Sequence, residues 1–302
     1  MERIIFGDNQ FFGINHMSED KAGAQLARFQ GTEAILETID GAYDEGLRGF
    51  MFSTHDRVQA VCDHFREFPD RYAGLRLYPV LPYAHKYASA VAEKGVAKAL
   101  SDVIFAGTSA SKVLKTVLHG TVGIFSENPY ELMKILVDTE LKMFRGLKMD
   151  VVFLQNIVGD LLLGLGMAEA FVQFDKYIRS EYHAEPGFMT MNLASMVKLL
   201  KEAGLKNPIV CSPINKIGYL MNPSRESVEE TIEAGEFRPV AMSILASGAI
   251  PAHEAVAYVC GQRNIESLIF GASSMRNILE TKALIEELSV TPVERETSEA
   301  GG

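Results

Sequence analysis

The chain has 302 residues, 47% of them hydrophobic, and a formal net charge of -10 at pH 7. That length and apolar fraction can fill a large core, and α/β barrels of roughly 250 residues commonly form a single domain. No run of about 18 uninterrupted apolar residues is present, so no membrane span is expected. The acidic balance argues against a nucleic-acid partner, because it repels a phosphate backbone.

The first residues, Met1 to Phe6, pass straight into an apolar run without the order of a signal peptide. Three scattered cysteines, Cys62, Cys211 and Cys260, form no CxxC pair and read as reduced core thiols. A cytoplasmic protein is expected on both counts.

Eight apolar runs are predicted as strands: Arg3–Gly7, Gly49–Ser53, Arg76–Leu81, Asp150–Gln155, Gly187–Met191, Pro208–Ser212, Pro239–Ile244 and Ser267–Phe270. Most are apolar throughout rather than alternating, as expected of strands buried on both faces of a parallel sheet. Helices are predicted between them at Thr32–Glu45, Arg57–Phe65, Leu161–Tyr182, Ser195–Ala203, Ser224–Ala234, His253–Cys260 and Arg276–Leu288. Asn128-Pro129-Tyr130-Glu131 is a further helix start, with Asn to cap, Pro at the first position and Glu to reach back. That helix should run to about Phe144.

Strand then helix, eight times over, predicts a (β/α)8 TIM barrel spanning residues 1–290. Residues 87–148 are long for one crossover and are predicted to be a helical insertion between strands three and four, with Thr121–Phe125 as a possible extra strand. Residues 291–302 are small and polar and read as a flexible tail.

Each apolar run ends in polar residues. The tips read Gly7-Asp8-Asn9-Gln10, Ser53-Thr54-His55-Asp56, Tyr83-Ala84-His85-Lys86, Gln155-Asn156, Thr190-Met191-Asn192, Ser212-Pro213-Ile214-Asn215, Ser243 and Ser273-Ser274. A parallel barrel gathers its strand C-termini at one mouth, where this fold keeps its catalytic groups. A small-molecule site is therefore expected there. His55 is a candidate acid or base because imidazole titrates near neutrality. Asp56 either orients a ligand or serves only to cap or pair at the next helix. Lys86, beside His85, is either a lysine with a lowered pKa among apolar walls or a solvated side chain. Tyr83 and Asn156 complete the candidate catalytic set. Asp8, His16, His55, His85 and Asn156 lack metal-ligand spacing such as HExxH, so no metal is assigned. No GxGxxG, GxSxG or GxxxxGK[ST] motif occurs.

The last third adds a resemblance. Val240 to Gly248, VAMSILASG, resembles the seventh strand and loop of aldo/keto reductases, typically AYSPLASG. Phe270 to Thr281, FGASSMRNILET, resembles their eighth strand and following helix, typically PGASSPEQLEEN. Gly187 to Gly204, Pro208 to Asn215 and Thr32–Thr54 are similar to other units of that family. The resemblance implies a barrel, an oxidoreductase and an NADP or NAD cofactor. It assigns the cofactor phosphates to Ser243, Leu245, Ser247, Ser273, Ser274 and Arg276, and the adenine to Glu280. The nicotinamide amide falls near Thr190, Asn192 and Ser212.

The family's catalytic tetrad is not retained. Its second-strand motif DTAxxY becomes Ser53-Thr54-His55-Asp56-Arg57-Val58, which replaces the Asp by Ser53 and the Tyr by Val58. Its histidine falls on Gln155 or Asn156, and only Lys86 stands for its lysine. Three readings follow: a nicotinamide-dependent oxidoreductase using His55, Tyr83 or Lys86; a non-redox lyase, isomerase or hydrolase of a phosphorylated or sugar-like substrate; and a ligand-binding barrel without catalysis.

Overall fold

The structure is a computed structural model and describes residues 1–14, 18–83 and 129–289. Eight parallel strands close into a barrel in sequence order. They are β1 Ile4–Phe6, β2 Gly49–Ser53, β3 Arg76–Leu81, β4 Val151–Leu154, β5 Glu185–Met189, β6 Ile209–Pro213, β7 Arg238–Met242 and β8 Ser267–Phe270. The ring shuts where β1 meets β8, with Ile4 beside Leu268 and Phe6 beside Phe270.

Ten helices surround the barrel among the described residues: α1 Glu19–Arg28, α2 Thr32–Asp44, α3 Val58–Glu67, α4 Pro129–Leu141, α5 Asn156–Gly164, α6 Ala168–Tyr177, α7 Leu193–Glu202, α8 Arg225–Ala234, α9 Ala252–Cys260 and α10 Met275–Leu288. Among these residues no helix is long and apolar enough to cross a membrane.

The two faces of each strand fill two separate cores. Ile5, Met51, Tyr78, Val80, Phe153, Met189 and Cys211 pack inside the ring. Their neighbours Phe6, Phe50, Phe52, Leu77, Leu81, Phe188 and Val210 pack outward against the helices. Burial on both sides explains why the runs carry no polar alternation.

Four elements differ from expectation. Strand β5 begins and ends two residues earlier than predicted, since Glu185 already pairs with Val151 and Thr190 is drawn off toward α5. Strand β7 stops at Met242 because Ser243 turns to a left-handed φ of 54°. The single helix predicted over Leu161–Tyr182 is two helices, parted at Gly166, whose φ of 66° no helix interior adopts. Helix α1 was not expected; it buries no residue, so it has no apolar stripe to betray it. The helix expected from Pro129 to Phe144 is present as α4 and a tight 3-10 turn over Lys142–Phe144. Residues 87–128, including the possible strand at 121–125, and the tail at 291–302 lie outside the described residues.

The end opposite the mouth is closed by charge. Arg238, at the start of β7, donates to both oxygens of Glu185 at 2.7 and 2.8 Å and to both oxygens of Glu266 at 2.7 Å. These planar pairs hold its guanidinium firmly charged.

Inside the ring, Phe153 lies over Gly187. A Cβ at that glycine would sit 2.4 Å from two atoms of the phenyl ring. The ring cannot retreat without opening a void among its neighbours, and overpacking a filled core costs roughly 1–3 kcal/mol. Gly187→Ala should therefore lower the free energy of unfolding by about that amount, as measured by denaturant titration followed by circular dichroism. An unchanged midpoint would show that the ring has room to spare.

Candidate active site at the barrel mouth

The strand tips bring several predicted residues to one end of the ring. At β1 the chain leaves the sheet at Gly7, and Asp8 turns its carboxylate sideways toward β2. Its Oδ2 accepts from both the amide and the hydroxyl of Ser53, each at 2.7 Å. Asp8 is only 6% exposed. Burial pushes its carboxyl up to about 6, against the opposing pull of the Ser53 hydrogen bonds. Asp8 is the functional candidate that sequence reasoning left out of the catalytic set.

Beside it lies an aromatic stack. The His55 imidazole is parallel to the Phe12 ring, with centroids 4.0 Å apart and planes within 6°. Tyr83 meets the same imidazole edge-on at 4.9 Å. The Arg57 amide donates to His55 Nδ1 at 3.1 Å. An accepting Nδ1 places the proton of neutral imidazole on Nε2. Burial, with the charges of Asp8 and Asp56, raises the Tyr83 phenol above its ordinary range. Both rings thus carry a proton to donate.

Asp56 is exposed and does not cap α3, whose N-cap position falls to Arg57. The Arg57 guanidinium instead donates to the carbonyls of Phe11, Phe29, Gln30 and Gly31, which staples the β1 loop to the α1–α2 turn. Asn156 opens α5, and the preceding Gln155 holds a buried Oε1 with no hydrogen-bond partner. His85 and Lys86 lie outside the described residues.

The residues assigned to a cofactor fall into two groups. Ser243, Leu245 and Ser247 occupy the turn after β7, where Ser243, Ala246 and Ser247 all adopt left-handed φ of 54°, 44° and 57°. Three such non-glycine residues in one turn hold a costly backbone shape. Ser273, Ser274 and Arg276 stand at the start of α10. The Ser274 Oγ accepts from the Asn277 amide, and Arg276 is 82% exposed and pairs with Glu280 at 3.0 Å. The second group is less open. Thr190 is fully buried and its hydroxyl donates to Asp160. Ser212 follows inward-facing Cys211, so its side chain faces the helix layer, where its Oγ has no partner. Asn192 stands at the N-cap of α7 without a side-chain cap bond.

The pH dependence follows from Asp8. Its folded pKa of about 6 exceeds the ordinary 3.8, so folding favours the protonated acid. The contribution is complete below the unfolded value and is lost as pH rises through about 6. Two units correspond to about 3 kcal/mol. Asp8→Asn keeps an acceptor for Ser53 and cannot ionise. Its stability relative to the parent should therefore rise by up to about 3 kcal/mol between acid and neutral pH. Urea unfolding of both chains across that interval measures the difference, and two parallel curves would contradict it.

No protein-family model matches the sequence, and no curated protein matches it either. Solved structures do match. A chain assigned to the aldo-keto reductases from Pseudomonas aeruginosa superposes with a TM-score of 0.61 at 12% identity, covering 95% of this chain and 90% of that one. The aldo/keto reductase from Brucella melitensis gives 0.54 at 12% identity, over 95% and 92%. The aldo-keto reductase of the silkworm Bombyx mori gives 0.53 at 13% identity, over 96% and 83%. This protein has a (β/α)8 barrel with the fold of these aldo-keto reductase structures.

Proposed function

We propose that this protein is a nicotinamide-dependent oxidoreductase that reduces the carbonyl of a small molecule. The reading is carried by the His55–Tyr83 pair, two hydrogen-bond donors meeting edge-on at the mouth of a reductase-like barrel. When bound, the reduced nicotinamide supplies a hydride to the carbonyl carbon. The balancing proton comes from the chain. His55 supplies it as imidazolium, formed when Nδ1 takes up a proton at the expense of its bond from the Arg57 amide; imidazolium is a stronger acid than the Tyr83 phenol, which is held above its ordinary range. Tyr83 then orients the carbonyl oxygen as a neutral donor. Asp8 contributes negative charge near Tyr83 once it ionises, which holds the proton on the phenol.

The residues fit such a cofactor. Gln155 Oε1 is a buried acceptor without a partner at the mouth, suited to a carboxamide N–H. Ser274 spends only its lone pair on the α10 cap, so its hydroxyl proton and the Arg276 guanidinium remain suited to phosphate. In this reading Ser243, Leu245, Ser247 and Ser273 complete the phosphate site, and Glu280, one helical turn along α10, serves the adenine.

Titration with NADPH and NADH tests the reading directly. Binding should appear in reduced-nicotinamide emission and in a raised melting temperature. Arg276→Ala should weaken NADPH roughly tenfold, about 1.4 kcal/mol. His55→Asn should keep cofactor binding and lower turnover of aldehydes and ketones by about 10²–10⁴. No binding at millimolar cofactor would remove the reading.

A further inference from the structure

Behind the mouth lies a buried polar knot with no part in the chemistry above. Glu140 stands on α4 among buried Val137, Leu141 and Phe144, and is itself 2% exposed. Its Oε2 accepts from the Thr54 hydroxyl and, at 3.2 Å, from the Tyr83 amide. The same amide also reaches the Thr54 Oγ1 at 3.1 Å, and the Thr54 amide donates to Val80 at 3.2 Å. One carboxylate oxygen therefore ties the tip of β2 to the tip of β3. Thr54 immediately precedes His55, and Tyr83 is the ring that meets it.

A helix of this kind packs with leucines and valines, and a buried carboxylate is expensive there without cause. The knot gives it one. Both site rings sit on loop backbone just past their strands, where the sheet ladder no longer fixes them. A shared acceptor from a third element restores that constraint.

We propose that Glu140 is a positioning residue, which holds the His55 and Tyr83 loops in register so that the two rings face each other. The proposal rests on those rings forming the reactive end of the mouth, but its first test needs no turnover.

The seven histidines give few imidazole ¹³C–¹H signals, and the His55 signal is identified by its loss in His55→Asn. In the full chain that signal is displaced by the Phe12 ring current. Glu140→Leu should move it toward the position of an unstacked imidazole. Glu140→Gln, which retains an acceptor oxygen, should leave it in place. His64, held 3.0 Å from Asp40 on the outer helices, should not move in either variant. Should Glu140→Leu fail to fold, Thr54→Val removes the Thr54 bonds to Glu140 and to the Tyr83 amide at nearly constant shape, leaves the Tyr83–Glu140 bond, and should give a displacement in the same direction. A His55 signal unmoved in the folded variants overturns the proposal, as does failure of Glu140→Gln to preserve it.

If the parent enzyme turns over, Glu140→Leu should lower kcat about tenfold with KM little changed, and Glu140→Gln should restore it. A parent without turnover would count against the reductase reading alone, and the imidazole signal would still decide the role of Glu140.

Discussion

Strand β1 contributes three residues and serves two ladders at once. Ile5 and Phe6 pair with Gly49 and Phe50 on one side, while Ile4, Ile5 and Phe6 pair with Leu268, Ile269 and Phe270 on the other. The amide of Gly7 then donates to Phe270 at 2.9 Å, extending the seam by one bond. An open sheet with the same strands would present two unpaired edges and scatter its tips along a line. Closure removes both edges and turns the line into a circle. Asp8 can reach Ser53, and His55 can lie against Phe12, because β1 and β2 are held side by side by that short strand.

On the proposed reading, one chemical requirement is met from a different strand. The sequence resemblance places Ser53 where aldo/keto reductases carry an aspartate, and a serine there looks like simple loss. In the fold, that serine is the partner of a carboxylate delivered from β1, bonded through both its amide and its hydroxyl. Likewise Val58, in place of the family's tyrosine, is a fully packed residue at the start of α3. On the same reading the phenol comes from Tyr83 at the tip of β3. A motif read position by position cannot register such exchanges, because neighbours across a barrel seam are far apart along the chain.

The architecture was legible to the extent that burial left a one-dimensional mark. Strands buried on both faces, such as Gly49–Ser53 and Ser267–Phe270, appear as continuous apolar runs and were located to the residue. The tips were legible for the same reason, since each run had to end. What escaped notice had no local mark. Asp8 looks like any acidic residue after a glycine; only its distance to Ser53, 45 positions away, distinguishes it. Glu140 falls in an ordinary helical pattern, and its burial depends on what covers it. Helix α1 buries no residue, and its one large apolar side chain, Leu26, leaves little to mark it. Thr190 was assigned from the resemblance toward a ligand, but the fold ties its hydroxyl to Asp160 on α5, a partner thirty residues earlier.

The charged clamp around Arg238 bears on how molecules come and go. It lies across the far end of the ring, and above it Tyr78, Phe153, Met51 and Met189 leave a solid interior. Among the described residues the base of the barrel is thus filled, which leaves the mouth as the end where a bound molecule would sit. On the proposed reading, cofactor and substrate would share that end of the ring.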